Sequence, residues 1–207
     1  MESPLCPPGT RLIETMLWDG AGFPRRAGHM ARLARSAAAL GFVHDSAAVA
    51  RALGSVPPGA PARVRLTLGE AGDAEVTLSP LPPAAAEWRL ALSRDRLCST
   101  DPLLVHKTTR RALYDRARAA LPEGTDEVIF LNERDEVCEG TITTLFFDDG
   151  TGLRTPPVAC GCLPGVLRAE LLASGSCREA VLTADRLRQV RLWVGNALRG
   201  LVPAQLA

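Results

Sequence analysis

The chain has 207 residues, of which 46% are hydrophobic and 23% are charged, and its formal net charge at pH 7 is +1. This composition is typical of a globular protein with one large or two small domains. The near-zero charge argues against a nucleic-acid surface or an anionic membrane as partner. The sequence shows neither a signal peptide nor an apolar run long enough to span a bilayer, so we expect a cytoplasmic protein.

Six cysteines are spread along the chain, namely Cys6, Cys98, Cys138, Cys160, Cys162 and Cys177. They lack CxxC spacing and the small secreted context in which disulfides are expected, so most are predicted to be small buried hydrophobic side chains. No histidine cluster accompanies the close pair Cys160 and Cys162, and we therefore predict no metal site.

The first eighty residues combine strand and helix patterns. Strands are predicted at residues 11–18, 62–68 and 74–78, and helices at residues 26–40 and 45–53. Gly41 follows the first helix where a C-terminal cap belongs. His29, Arg32 and Arg35 are predicted to lie off the apolar stripe of that helix.

A proline- and alanine-rich stretch, residues 81–87, is unsuited to either element and is predicted to be a linker. It divides a small α/β domain, residues 1–80, from a larger domain, residues 88–207. In the larger domain, strands are predicted at residues 88–93, 128–131, 137–139, 141–147 and 190–194, and helices at residues 108–121 and 164–173. Lys107 is then expected at a loop-to-helix junction.

Lys107 is the only lysine in the chain, against 23 arginines. Codon usage in a GC-rich genome explains such a bias on a solvated surface, and a lone lysine can be a chance survivor. A lysine amine, however, can lose its proton when desolvated and attack a carbonyl, which arginine cannot do. The alternative interpretation is therefore a lysine retained for imine chemistry.

Two glycine turns are candidates for binding an anion. Gly165 precedes a predicted helix, whose first N–H groups and dipole favour a phosphate. Gly195 and Asn196 form a second turn that can donate from backbone and side chain, and Arg32 offers a charged partner. Each also has a structural explanation: Gly165 as a turn residue, Gly195 as a strand end, and Arg32 as a surface arginine.

An ordered set of motifs resembles the class IV pyridoxal-phosphate enzymes, which include aminodeoxychorismate lyase, branched-chain aminotransferase and D-amino-acid aminotransferase. The motifs are Leu12-Ile13-Glu14-Thr15, His29-Met30-Ala31-Arg32-Leu33, His106-Lys107-Thr108-Thr109-Arg110, Asn132-Glu133-Arg134, Glu139-Gly140-Thr141-Ile142, Thr155-Pro156-Pro157, Gly161-Cys162-Leu163-Pro164-Gly165 and Gly195-Asn196. They run in family order from about residue 11 to residue 203. Within the family the chain most resembles the lyases, including the lyase module fused behind para-aminobenzoate synthase.

The resemblance implies a two-domain α/β fold with pyridoxal 5'-phosphate in the cleft between domains, and a homodimer. It implies that Lys107 forms the imine with the cofactor and acts as general base, and that Glu139 faces the pyridine nitrogen. Arg32, Asn196 and the backbone groups of Val166 and Leu167 are implied to bind the phosphate. Thr15 and Arg110 are implied to bind substrate.

Three departures from the family pattern accompany this resemblance. An N-terminal strand with an Asn-Gly pair, usual in the family, is missing, so the small domain is expected to be short. Thr144 replaces an asparagine, and Ala112 stands where branched-chain aminotransferases tend to carry a tyrosine; the only tyrosine, Tyr114, is expected to point elsewhere. The reaction implied is conversion of 4-amino-4-deoxychorismate to 4-aminobenzoate and pyruvate. An aminotransferase and a non-catalytic cofactor- or partner-binding relative remain alternatives.

Overall fold

A computed structural model of the chain describes residues 6–207. These residues form two compact units with a mixed α/β fold. The first unit comprises the described residues up to Pro83 together with His106–Arg110, and the second comprises Ala84–Val105 and Arg111–Ala207. The chain passes from the first unit to the second within the predicted linker. Residues 106–110, which the sequence places in the larger domain, group instead with the first unit.

The first unit contains one small sheet and two helices. Its elements are β1 (Leu12–Trp18), α1 (Arg26–Leu40), α2 (Ser46–Gly54), β2 (Ala62–Leu68) and β3 (Ala74–Pro80). The strands pair antiparallel in the order β1-β2-β3. All five predicted elements are confirmed, with β3 two residues longer than predicted. Gly41 ends α1 in the left-handed conformation, with a φ of 74°, as the C-cap prediction requires.

The core of the first unit forms because α1 packs its apolar side chains on the sheet. Leu33 and Ala37 of α1 lie buried with Met16, Val64 and Leu66 of the strands. The cost of leaving such side chains in water, about 25 cal/mol per Å² of apolar surface, sets the orientation of α1. The position of α1 decides which of its polar residues face β1.

The second unit is built on an eight-stranded sheet. Its elements are β4 (Trp88–Leu97), α3 (Ala112–Ala119), β5 (Glu127–Asn132), β6 (Val137–Gly140), β7 (Thr144–Asp148), β8 (Leu153–Thr155), α4 (Val166–Ala173), β9 (Arg178–Glu179), β10 (Arg191–Asn196) and β11 (Gly200–Leu206), with short 3-10 turns at Val158–Cys160 and Ala184–Gln189. The strand order is β10-β11-β4-β5-β6-β7-β8-β9, and β10 also pairs with β7. This pairing closes six of the strands into a ring.

The continuous apolar run of β5 is explained by burial on both of its faces. Ile129 and Leu131 belong to the largest core of the unit, whereas Phe130 packs in a separate cluster with Cys138 and Cys162. Every residue of β5 is buried. A strand covered on both sides loses the alternation of polar and apolar residues, which is the pattern predicted here.

The helix predicted at residues 108–121 is shorter than expected, because it begins only at Ala112 and the backbone of residues 107–109 bonds to β1 instead. The backbone N–H of Ile13 donates to the carbonyl oxygen of Lys107 at 2.8 Å, and the N–H of Thr109 donates to the carbonyl of Arg11 at 2.9 Å. Thr108 forms an isolated bridge with Leu12. These bonds to β1 satisfy backbone groups that a helix would otherwise bond internally.

The cysteines behave largely as small hydrophobic residues, as predicted. Four of them, Cys138, Cys160, Cys162 and Cys177, are buried, whereas Cys98 is exposed; all six are free thiols. Within residues 6–207, no helix is both long and apolar enough to cross a membrane.

Candidate active site

The segment that carries Lys107 is anchored to two elements of the first unit. Its backbone is bonded to β1 through Ile13, as described above. On its N-terminal side, His106 Nδ1 lies 3.0 Å from the hydroxyl of Ser36 on α1. Burial lowers the pKa of His106, so this ring is neutral at pH 7. Lys107 itself is partly exposed, and its backbone position is defined from both sides.

Arg32 is buried in an ionic cluster with Glu14 and His29, not exposed on α1. Arg32 Nε donates to Glu14 Oε1 at 2.9 Å and Nη2 donates to Oε2 at 2.5 Å, while His29 Nδ1 lies 2.6 Å from the same Oε2. Arg32 is 6% exposed, Glu14 1% and His29 2%. The sequence predicts that His29 and Arg32 lie off the apolar stripe, and the structure buries both in polar contact with Glu14. The surface-arginine alternative for Arg32 is wrong.

The electrostatics of this cluster favour an ionised Glu14. Burial alone raises the pKa of its carboxyl, but the hydrogen bonds from His29 and Arg32 and their charges outweigh burial, so the pKa of Glu14 is lowered. Arg32 keeps the N–H groups of Nη1 and the second hydrogen of Nη2 for a further acceptor. The role of Arg32 as a phosphate ligand stays a prediction. In that role Arg32 would use these remaining N–H groups.

β1 is the element that brings the predicted residues of the first unit together. Ile13 bonds the Lys107 backbone, and the next residue, Glu14, holds Arg32. Thr15 follows them and is partly buried. Arg110 lies at the end of the segment that carries Lys107, with an exposed side chain and its backbone N–H bonded to Thr108 Oγ1 at 3.1 Å. The substrate roles of Thr15 and Arg110 stay predictions.

In the second unit, the Glu139 carboxylate lies at the end of β6 and is 7% exposed. Tyr114 donates its hydroxyl to Glu139 Oε1 at 2.7 Å, and the backbone N–H of Leu163 donates to Oε2 at 3.0 Å. Tyr114 therefore contacts Glu139, and the expectation that it points away from the ring hydroxyl of the cofactor stays a prediction. Because α3 begins at Ala112, Tyr114 lies in its first turn and packs edge-on against Phe130, with a centroid separation of 5.2 Å.

A second buried carboxylate, Glu127, organises the loop that follows Glu139. It is fully buried and accepts the backbone N–H of Thr141 at 3.1 Å, the N–H of Ile142 at 3.2 Å and the hydroxyl of Thr143 at 2.9 Å, together with the Thr141 hydroxyl. No sequence motif singled it out. The available signal was a glutamate at the head of an apolar strand followed by a threonine-rich loop.

The start of α4 offers backbone donors. Gly165 is the N-cap of this helix and provides no side chain to cap it, so the N–H groups of Val166 and Leu167 lie at an end where a helix has free donors. Gly195 packs tightly there, since a Cβ on it would lie 2.9 Å from Leu167 Cδ2. The structure thus places Gly195 against the Leu167 side chain, and anion binding by Val166, Leu167 and the Gly195-Asn196 turn stays a prediction.

Asn196 uses its side chain mainly to hold its own turn. Its Oδ1 accepts the N–H of Leu198 at 3.1 Å and of Arg199 at 3.0 Å, and its Nδ2 donates to the Ile142 carbonyl at 3.2 Å. One hydrogen of the amide remains for another acceptor. The phosphate role of Asn196 stays a prediction, and the bonds that are present link its turn to the loop after Glu139.

The cysteines beside Glu139 are thiols. Burial raises the pKa of Cys138 and of Cys162 far above the ordinary range, and the neighbouring Glu139 carboxylate adds to the effect. Burial likewise raises the pKa of Cys160 to about 12. These three thiols therefore keep their protons at neutral pH.

Comparison with known proteins identifies the class to which this fold and these residues belong. Residues 11–207 match the sequence profile of the family described as Amino-transferase class IV. The chain therefore belongs to the class IV aminotransferases, a family of pyridoxal-phosphate-dependent enzymes.

Particular relatives carry two kinds of name. The chain is 30% identical over 189 residues to a Schizosaccharomyces pombe protein provisionally named aminodeoxychorismate lyase, covering 86% of this chain and 81% of that protein. A Mesorhizobium loti structure provisionally named an amino-acid aminotransferase is 48% identical, with a TM-score of 0.91 and coverage of 96% of this chain and 100% of that one. The fold also matches a branched-chain aminotransferase of Thermoproteus uzoniensis, 21% identical, with a TM-score of 0.79 and coverage of 96% and 78%.

Proposed function

We propose that the chain is a pyridoxal-phosphate-dependent lyase that converts 4-amino-4-deoxychorismate to 4-aminobenzoate and pyruvate. The observation that carries the cofactor assignment is Glu139, a buried carboxylate. Its two oxygens accept hydrogen bonds from the Tyr114 hydroxyl and the Leu163 N–H. A carboxylate fixed in this way suits a pyridine nitrogen that must stay protonated. The similarity to the S. pombe protein supports the choice of a lyase.

The described residues fit this cofactor chemically. Lys107 supplies an amine for its aldehyde, the uncapped start of α4 supplies backbone donors for its phosphate, and Glu139 supplies an anion for its ring nitrogen. Arg32 adds charged donors for the phosphate through the N–H groups that Glu14 leaves available. Bound pyridoxal phosphate supplies an electron-accepting ring for the pair released at the substrate α-carbon.

The chain's own residues then perform two tasks in the proposed reaction. The Lys107 amine takes the α-proton as a general base. Glu139 keeps a proton at the ring nitrogen throughout, and the hydrogen bonds it accepts hold its position. Loss of pyruvate forms an aromatic ring, so the reaction needs no second substrate.

The second candidate is an aminotransferase of the same family. The Mesorhizobium loti structure favours it, because that 48% identical protein carries the provisional name of an amino-acid aminotransferase. Ala112 argues for the lyase, since branched-chain aminotransferases tend to have a tyrosine at this position. A non-catalytic cofactor-binding protein is the third possibility that the experiment must separate.

Product analysis without a keto acid separates these functions. We expect the protein loaded with pyridoxal phosphate to form equal amounts of 4-aminobenzoate and pyruvate from aminodeoxychorismate, and the Lys107→Ala variant to form neither. Leucine, glutamate and D-alanine should change the cofactor spectrum far more slowly. Rapid change with one of them, reversed by 2-oxoglutarate or pyruvate, would establish the aminotransferase. Cofactor binding with neither activity would favour the non-catalytic protein.

We further propose that the protein is a cytoplasmic homodimer, as the family resemblance implies. Analytical ultracentrifugation of the loaded protein should give twice the chain mass. A monomer that is fully active would contradict the dimer.

A further inference from the structure

Tyr114 donates a side-chain hydrogen bond to Glu139, and nothing in the sequence motifs assigns it a role. Its hydroxyl lies 2.7 Å from Glu139 Oε1, a short bond as expected for a hydroxyl donating to a charged oxygen. The other oxygen, Oε2, accepts a backbone N–H, that of Leu163. The backbone donor does not depend on side-chain identity, whereas the Tyr114 hydrogen bond can be removed by a substitution.

Packing holds the Tyr114 ring so that the hydroxyl has little freedom. The ring contacts Phe130 edge-on at a centroid separation of 5.2 Å, and the Arg111 guanidinium lies 5.7 Å from its centroid. Arg111 is itself tied to Asp115 at 2.8 Å and to the Thr141 carbonyl at 2.9 Å. A residue whose rotamer is fixed by neighbours can fix its own hydrogen-bond partner.

The protonation state of Tyr114 suits a permanent donor. Burial raises the pKa of its phenol far above the ordinary value, and the Glu139 carboxylate raises it further. The phenol therefore keeps its proton over the whole working pH range. It donates to the carboxylate and does not compete with it for negative charge.

We propose that Tyr114 is a positioning residue that holds the Glu139 carboxylate in place for the pyridine nitrogen of the cofactor. The inference rests on the proposed binding of pyridoxal phosphate and adds a residue to it. Tyr114 acts on the cofactor only through Glu139. It follows that the effect of removing its hydroxyl must depend on the presence of the carboxylate.

A double-mutant cycle on cofactor affinity tests this dependence. Tyr114→Phe keeps the ring contacts and removes only the hydroxyl. A hydrogen bond to a charged group is worth enough to change a binding constant by about tenfold. We expect Tyr114→Phe to weaken pyridoxal-phosphate binding about tenfold in the wild-type background and by no more than about twofold in the Glu139→Gln background, measured by quenching of tryptophan fluorescence.

Two further measurements separate positioning from loss of stability. Thr155→Val removes another buried hydroxyl of the second unit, one that donates to the Leu145 carbonyl at 2.8 Å, and should leave cofactor affinity unchanged. Tyr114 is the only tyrosine in the chain, so the Raman Fermi doublet of tyrosine reports on it alone. The doublet should indicate a strong donor in the wild type and a weaker one in Glu139→Gln.

The outcomes are distinguishable. If the wild type takes up no pyridoxal phosphate, the proposed function fails and the inference fails with it. If the wild type binds the cofactor and Tyr114→Phe binds it equally well, or loses affinity equally in both backgrounds, only the inference about Tyr114 is overturned. An unchanged Raman doublet in Glu139→Gln would also overturn it.

Discussion

Removal of the Arg32 guanidinium should lower the free energy of unfolding of the first unit. The size of this loss should depend on pH. In Arg32→Ala, Glu14, which is 1% exposed in the wild type, would lose both bonds of its bidentate partner. Breaking a buried ion pair by removing one partner costs about 3–5 kcal/mol, because the remaining charge stays desolvated. Arg35, an exposed arginine one turn further along α1, is the matched control; its replacement should cost no more than about 0.5 kcal/mol.

The pH dependence follows from the sign of the Glu14 shift. The folded-state pKa of Glu14 is lowered from its ordinary 4.5, so its ionised form contributes stability above the unfolded pKa, and this contribution is lost as pH falls through the folded pKa. In Arg32→Ala, burial is opposed by one partner fewer, so the pKa of Glu14 should rise. Stability of the variant should therefore fall less on acidification than that of the wild type.

Urea unfolding followed by circular dichroism at pH 7.5 and at pH 4 measures both effects for wild type, Arg32→Ala and Arg35→Ala. Equal losses in the two variants at pH 7.5 would refute the buried pair as the source of stability. A loss in Arg32→Ala that grows on acidification would refute the assigned sign. Cofactor affinity should be compared without urea, under conditions in which both variants are folded. There Arg32→Ala should bind pyridoxal phosphate more weakly than Arg35→Ala.

Three further predictions concern other residues of the site. Borohydride reduction of the loaded protein should fix a pyridoxyl mass on the peptide that contains Lys107, the only lysine, and Lys107→Arg should abolish it there; trapping at the N-terminal amine alone would contradict this. Gly195→Ala should cost about 1–3 kcal/mol of stability in thermal unfolding, since the added Cβ would lie 2.8 Å from the Gly200 carbonyl oxygen and 2.9 Å from Leu167, whereas Gly54→Ala, with nothing within 4 Å, should cost nothing. Glu127→Ala should cost about 3 kcal/mol or more in urea unfolding, because the donors of the loop after Glu139 lose their acceptor; an unchanged midpoint would contradict that role.

Local periodicity was sufficient to predict most elements of this fold. Helix α1, strand β2 and the buried strand β5 follow from the spacing of apolar residues, since those side chains must reach a core and each element has its own repeat. Gly41 was recognisable because a left-handed cap favours glycine. The uniqueness of Lys107 and the order of the motifs likewise needed no structure.

Tertiary structure alone decided which polar side chains meet. Glu14 and Arg32 are 18 residues apart, and Tyr114 and Glu139 are 25 apart. Neither pairing follows from helical or strand spacing, because it depends on how α1 lies on β1 and where α3 begins. The non-helical conformation of residues 107–109 also depends on distant residues, since β1 supplies their hydrogen-bond partners. Backbone groups and buried charges are satisfied by whatever the fold places beside them, and a sequence pattern records only which residues need a partner.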